Sequence, residues 1–215
     1  MEHLQPISKT QFLPVSLQEL SMLLSAGSEA VTNAYQQFRL VFQERSMMEI
    51  GLTDTFLMQA QTVASGNGKD AFFEWSNNEN VTGCDFAVTV NSHQTNGPHQ
   101  TNGYSILFQA KVAKTAEGGT YADFFYESAK TIGRVKVQEY QNILLANYAK
   151  KNKFEAYYVI YDVKEVRWVN VFALARWFDQ TDKTKMTNVD YLIDAFKALA
   201  KTSFLEAREE TEETK

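Results

Sequence analysis

The stretch Tyr104-Ser-Ile-Leu-Phe-Gln-Ala-Lys-Val112 has the make-up of a central β-strand, yet it carries an amide and an ammonium two residues apart. Strand alternation puts Ile106, Phe108, Ala110 and Val112 on one face and Leu107, Gln109 and Lys111 on the other. A lysine is almost never fully buried without a partner, because an unpaired ammonium in an apolar medium is strongly unfavourable. The sheet built around this strand therefore has one dry face, and on the other a polar cleft or an anion must lie over Gln109 and Lys111.

The preceding strand supplies a partner. In Cys84-Asp-Phe-Ala-Val-Thr-Val90, Phe86, Val88 and Val90 share one face while Asp85, Ala87 and Thr89 take the other. An antiparallel hairpin over residues 84–114 brings Asp85 beside the face of Gln109 and Lys111. Between the two strands, residues 93–103 repeat the pentapeptide HQTNG around Pro98. Each Asn-Gly is a turn signal and the two histidines match no common ligand spacing, so this is an extended hairpin loop rather than a metal site.

The rest of the chain frames that hairpin. Ser16-Leu-Gln-Glu19 is a capping-box pattern opening a short helix over residues 17–24. Apolar residues recur at helical spacing over residues 29–64, with Gly51 and Thr53 marking a break, and a first strand follows at Ala71-Phe-Phe-Glu-Trp75. Residues 134–148 have a helical pattern that includes Val137, Gln141, Leu144 and Leu145. The apolar strand at residues 154–162, reached by a helical crossover, reads as a buried neighbour in the same sheet. A strand at 167–171, a helix at 172–178 and an amphipathic helix at 188–205 complete the pattern. The order predicts an α/β (α+β) protein with a central mixed β-sheet flanked by helices. The expected organisation is an N-terminal arm over residues 1–27, one domain over 28–205 and an acidic flexible tail over 206–215.

With 215 residues, 44% of them hydrophobic, the chain can bury one sizeable core. Its net charge of -5 speaks against polyanion binding, but the charge is unevenly spread. Five glutamates fall in the last ten residues, whereas Lys130 to Lys153 holds six basic residues and one acid, Glu139. That run suits local phosphate contact or a solvated helix face. Cys84 is the single cysteine, which excludes an internal disulfide or a Cys-rich zinc site and reads as a small buried hydrophobe. The aromatic run Phe124-Phe-Tyr126 reads as core. No signal peptide or membrane-length apolar run is visible, so a cytoplasmic protein without a membrane partner is expected.

Thr82-Gly-Cys-Asp85, then Leu107-Phe-Gln-Ala-Lys111, with Glu49 on an upstream helix and a helix-strand pair at 134–162, resembles the PD-(D/E)xK nuclease superfamily of restriction-endonuclease-like fold, in a QxK variant. The resemblance covers about residues 45 to 162 and is nearest to small uncharacterised bacterial members. It implies metal-dependent hydrolysis of phosphodiester bonds, in DNA rather than RNA, in a bacterial defence or restriction context. A carboxylate is the hard oxygen ligand that Mg2+ (or Mn2+) prefers, which suits Asp85. The Gln109 carbonyl can coordinate but brings no charge, so metal would bind more weakly there. Lys111 would orient or help deprotonate the attacking water and stabilise developing charge.

Glu49 enters as a further carboxylate on the resemblance, with Glu44, Glu74 and Glu79 as rivals. Gln141 is the candidate polar residue on the helix after the motif. Strong site specificity would require a homodimer or an activating partner protein. The alternative is a catalytically inactive protein that keeps the fold and binds nucleic acid or protein. A nucleotide-binding transferase finds no phosphate loop, no GxGxxG and no His-based metal triad, since the histidines lie at position 3 and in the repeat.

Overall fold

The computed structural model describes residues 15–43, 47–92, 102–116, 119–124, 127–132, 135–180 and 189–212. Residues 1–14 of the expected arm, Glu44, most of the HQTNG repeat (93–101), Phe125 and Tyr126, and residues 213–215 lie outside the described residues.

Helix α1 (Leu17–Val41) starts at the predicted capping box. The Glu19 amide donates to Ser16 Oγ at 3.2 Å, and the Ser16 amide donates to Glu19 Oε2 at 2.8 Å. The helix does not stop near residue 24 but continues to Val41. The expected boundary at residue 27 thus falls inside a continuous helix, and Leu20, Leu23 and Leu24 on its first half are core residues. Gly27 is not a breaker here. A Cβ on it would lie 2.8 Å from the Phe56 ring and 3.0 Å from the Phe56 carbonyl oxygen, so glycine lets helix α2 (Glu49–Gly66) pack closely against α1.

The chain then forms β1 (Ala71–Trp75), the short helix α3 (Glu79–Thr82), β2 (Phe86–Ser92) and β3 (Asn102–Val112). Two small hairpins follow, β4 (Lys114–Ala116) with β5 (Gly119–Tyr121) and β6 (Glu127–Ile132) with β7 (Val135–Tyr140). Helix α4 (Gln141–Asn152), β8 (Glu155–Tyr161), β9 (Val166–Asn170), α5 (Val171–Gln180), α6 (Val189–Leu199) and α7 (Phe204–Glu212) complete the order. The helix expected over 134–148 is therefore replaced in its first part by strand β7. Likewise the helix expected over 188–205 is two helices, and α7 extends into the segment expected to be a tail.

Strands β1, β2, β3, β8 and β9 form a five-stranded mixed sheet in that order. The β1-β2-β3 meander is antiparallel, β8 runs parallel to β3, and β9 returns antiparallel to β8. The register sets Phe86 opposite Phe108, and Gln109 beside Tyr158 across the parallel pair. Beyond β9, Trp168 and Lys201 exchange backbone hydrogen bonds of 2.8 and 2.9 Å, so the sheet edge is covered there.

Helices cover both faces. Phe56, Phe86, Phe108, Tyr161, Trp168 and Phe204 fill the core beneath α1, α2 and α7, with the Phe86 and Phe108 rings stacked at 4.9 Å. On the other face Leu107, Tyr158 and Ile160 pack with Leu145, Leu174 and Phe196 of α4, α5 and α6. Cys84 and Phe124 are buried in this second core, as the sequence leads one to expect. No described helix is long and apolar enough to cross a membrane.

Candidate active site

Asp85 stands between α3 and β2. Its amide donates to the Phe108 carbonyl at 2.8 Å, extending the hairpin one residue beyond β2, and the Ala110 amide donates to Asp85 Oδ2 at 2.7 Å. The carboxyl is thereby fixed to β3 opposite Gln109. Gly83, in the left-handed region at φ 69°, caps α3 and turns the chain toward β2. It does so against the first turn of α4, which brings Glu79 of α3 to Gln141 of α4.

Gln109, Lys111 and Asp85 are 0%, 9% and 8% exposed. Gln109 Nε2 donates to Gln141 Oε1 at 2.8 Å, and the Lys111 ammonium donates to the same oxygen at 3.3 Å. Gln141 Nε2 in turn donates to Glu79 Oε1. Two donors on one oxygen fix the orientation of the Gln141 amide. The same network consumes the Gln109 nitrogen and leaves Gln109 Oε1 buried without a hydrogen-bond partner. An unpaired buried carbonyl costs about 1–3 kcal/mol, so a donor or a cation beside this atom would be stabilising. The hydroxyl of Tyr158, the β8 neighbour of Gln109 in register, is likewise buried and without a partner.

Glu49 reaches the same region from the first turn of α2, where the Val112 amide holds its carboxyl. A cavity of about 560 Å3 opens here, lined by Glu49, Glu79, Lys111, Lys114, Asp123 and Gln141. Asp85, Gln109, Lys111, Gln141 and Glu79 therefore gather with Glu49 around the end of β3. Glu74 does not: it is exposed on β1 opposite Ala87. Tyr158, Lys114 and Asp123 escape sequence reasoning. Tyr158 depends on a parallel register, and Asp123 is delivered by the crossover, neither of which local periodicity reports.

The charges in this cluster are unbalanced. Burial pushes the Asp85 carboxyl up to about 7; the Lys111 ammonium opposes that shift, and the Glu49 and Glu79 carboxylates add to it. Burial also raises Glu49, again against the pull of Lys111. The donors in the cluster are all oxygens, the ligand type that a hard divalent ion such as Mg2+ takes. No group of three or more His, Cys, Asp and Glu side chains among the described residues is placed to hold a metal ion by itself.

A pH dependence follows. The folded Asp85 pKa of about 7 lies above the ordinary aspartate value of 3.8, so folding favours the protonated carboxyl. That contribution is fully present below about pH 4 and is lost as pH rises toward 7. At about 1.4 kcal/mol per pH unit the loss is on the order of a few kcal/mol. In EDTA, thermal melts of the wild-type chain should fall across this window more than those of Asp85→Asn protein. A wild-type profile no steeper than the variant's would contradict the assigned burial.

The sequence model of a family described as "Family of unknown function (DUF6615)" matches residues 20–202. No curated protein matches the chain.

Proposed function

We propose that this chain, which belongs to the DUF6615 family of unknown function, is a metal-dependent nuclease that hydrolyses phosphodiester bonds in DNA, with a restriction-endonuclease-like fold of PD-(D/E)xK type. The observation that carries the reading is the convergence of Asp85, Gln109 and Lys111 from adjacent strands, with Gln109 Oε1 buried and unpartnered. The five-stranded mixed sheet flanked by helices is compatible with that superfamily.

Asp85, Gln109 and Glu49 would hold Mg2+ or Mn2+ through oxygen. Such an ion, when bound, neutralises phosphate charge and lowers the pKa of its water. Lys111 lines the cavity and would hold a phosphate oxygen, its ammonium kept in place by Gln141 Oε1. Gln141 acts as a positioning residue, tying Gln109 and Lys111 to Glu79. Because burial raises the Asp85 carboxyl to about 7, binding the ion would release a proton from it and would tighten as pH rises through neutrality.

Supercoiled plasmid incubated with the purified chain and Mg2+ or Mn2+ tests this. Nicked or linear product is expected from wild-type protein and none from Asp85→Ala protein; unchanged cleavage by the variant refutes the site. A parallel RNA substrate tests the preference for DNA. The second reading, an inactive protein that binds nucleic acid or protein, is favoured by the uncharged Gln109 already engaged with Gln141, and gains if neither substrate is cut with either metal. A second copy or an activating partner protein would supply the second cut of a duplex. The single buried thiol suits the cytoplasm, and defence or restriction is the context that the superfamily reading brings.

A further inference from the structure

The basic run noted in the sequence is not used by the cavity at the end of β3. Two of its members, Lys150 and Lys153, instead face a different cleft of about 700 Å3, together with Arg176 of α5 and Arg208 of α7. The cleft lies where the end of α4 meets the start of β8 and of α5. Gln141 and Lys150 are nine residues apart on α4, about 14 Å at 1.5 Å per residue, so one helix has an end at each cleft.

Four cations line this cleft against one carboxylate, Glu155, which Arg208 pairs at 2.9 Å and to which the Tyr157 hydroxyl donates at 3.0 Å. Helix polarity accounts for Lys150, which sits in the last turn of α4 near its negative end. Arg176 is exposed on the wall of the cleft midway along α5, past the first turn at the helix's positive end. That end of α5 is itself in the cleft: Asn170 Oδ1 accepts from the Phe172 and Ala173 amides at 2.9 and 3.2 Å. Field and side chains thus have the same sign. Phe154 and Phe172, both half-buried, supply apolar surface beside the cations, whereas the Tyr157 ring is buried against Phe108 and Phe204.

We propose that this cleft is a second ligand site, for a phosphate-bearing nucleotide. The phosphates face Lys150, Lys153 and Arg176, and the base lies toward Phe154 and Phe172. The source is a free nucleoside polyphosphate or the phosphates of a nucleic-acid strand. The inference stands apart from the nuclease reading, because it concerns other residues and is tested by binding rather than cleavage.

The test titrates wild-type protein in EDTA with ATP and, separately, with a fluorescent single-stranded DNA oligonucleotide. Saturable, salt-sensitive binding of at least one probe is expected, weakened roughly tenfold or more by the double substitution Lys150→Gln/Arg176→Gln. Both side chains are exposed, so melting should be unchanged. Asn147→Asp, also exposed and in the cleft lining, adds an opposing charge without removing a cation and should weaken the same probe. ATP binding that displaces the oligonucleotide assigns the site to free nucleotides; oligonucleotide binding that ATP leaves untouched assigns it to nucleic acid. Failure of both probes to saturate overturns the proposal, as does wild-type affinity in the charge-altered proteins.

Discussion

Lys111→Met protein is expected to lose divalent-dependent plasmid cleavage by about 10³-fold, the scale on which removal of a charge-stabilising group acts in a water-poor site. Methionine keeps an unbranched apolar stem in place of the lysine's and removes only the ammonium, so the loss reads out charge rather than packing. A second readout distinguishes the ammonium's local field from a general loss of fold. Lys111 holds down the pKa of both Asp85 and Glu49, and without it both carboxyls rise further. Below pH 5, where Asp85 is protonated in either protein, the variant is relieved of a buried charge and should melt no lower than wild type. By pH 8 it should melt lower, because ionising Asp85 now lacks its nearest cation. Cleavage within threefold of wild type would remove Lys111 from the reaction. A melting difference that does not change with pH would show that its field does not reach Asp85.

Gly83→Ala should be the most damaging single methyl in the site's framework. Its Cβ would lie 2.6 Å from the Leu145 nitrogen and 2.7 Å from the Gln141 carbonyl oxygen, backbone atoms that cannot rotate away, and its φ of 69° is unfavourable for alanine as well. Overpacking and left-handed strain together give roughly 2–5 kcal/mol, which for a chain of this size lowers the melting temperature by about 10 °C. Gly68→Ala is the control, since φ there is 63° but nothing lies within 4 Å of the added carbon. It should cost about 1–2 kcal/mol, from backbone conformation alone. Equal shifts in the two variants would mean that α3 and α4 separate freely, and the Glu79–Gln141 contact with them.

The hairpin half of the candidate site was legible because its physics is local. A period of two sorts Asp85, Gln109 and Lys111 onto one face, and a hairpin between adjacent strands leaves few registers that satisfy both dry faces. Gln141 was legible as a polar residue near the site, but through a helix that does not exist in that form. Val137, Gln141 and Leu144 fall at helical spacing, whereas Val135 and Val137 belong to a strand paired with β6, and Gln141 is the first residue of α4. The end of the expected arm at residue 27 is instead a point of contact between two helices, where Gly27 meets Phe56. Tyr158 could not be placed, because its neighbour is chosen by the parallel pairing of β3 with β8, which no short window contains. The basic run was visible, but its division between elements, and its meeting with Arg176 and Arg208, depended on the fold.

That same parallel pair separates the site in time as well as in sequence. Asp85 meets Gln109 when a hairpin closes between neighbouring strands, whereas Gln109 meets Tyr158 only after the whole crossover, with both small hairpins and α4, has been gathered back to the sheet. Closing the longer loop loses more chain entropy before any contact compensates. An emerging chain would therefore carry the Asp85–Lys111 hairpin before it could carry Gln141. The Lys111 ammonium would stay solvated until Gln141 arrives, so its burial reports closure of the crossover rather than of the hairpin.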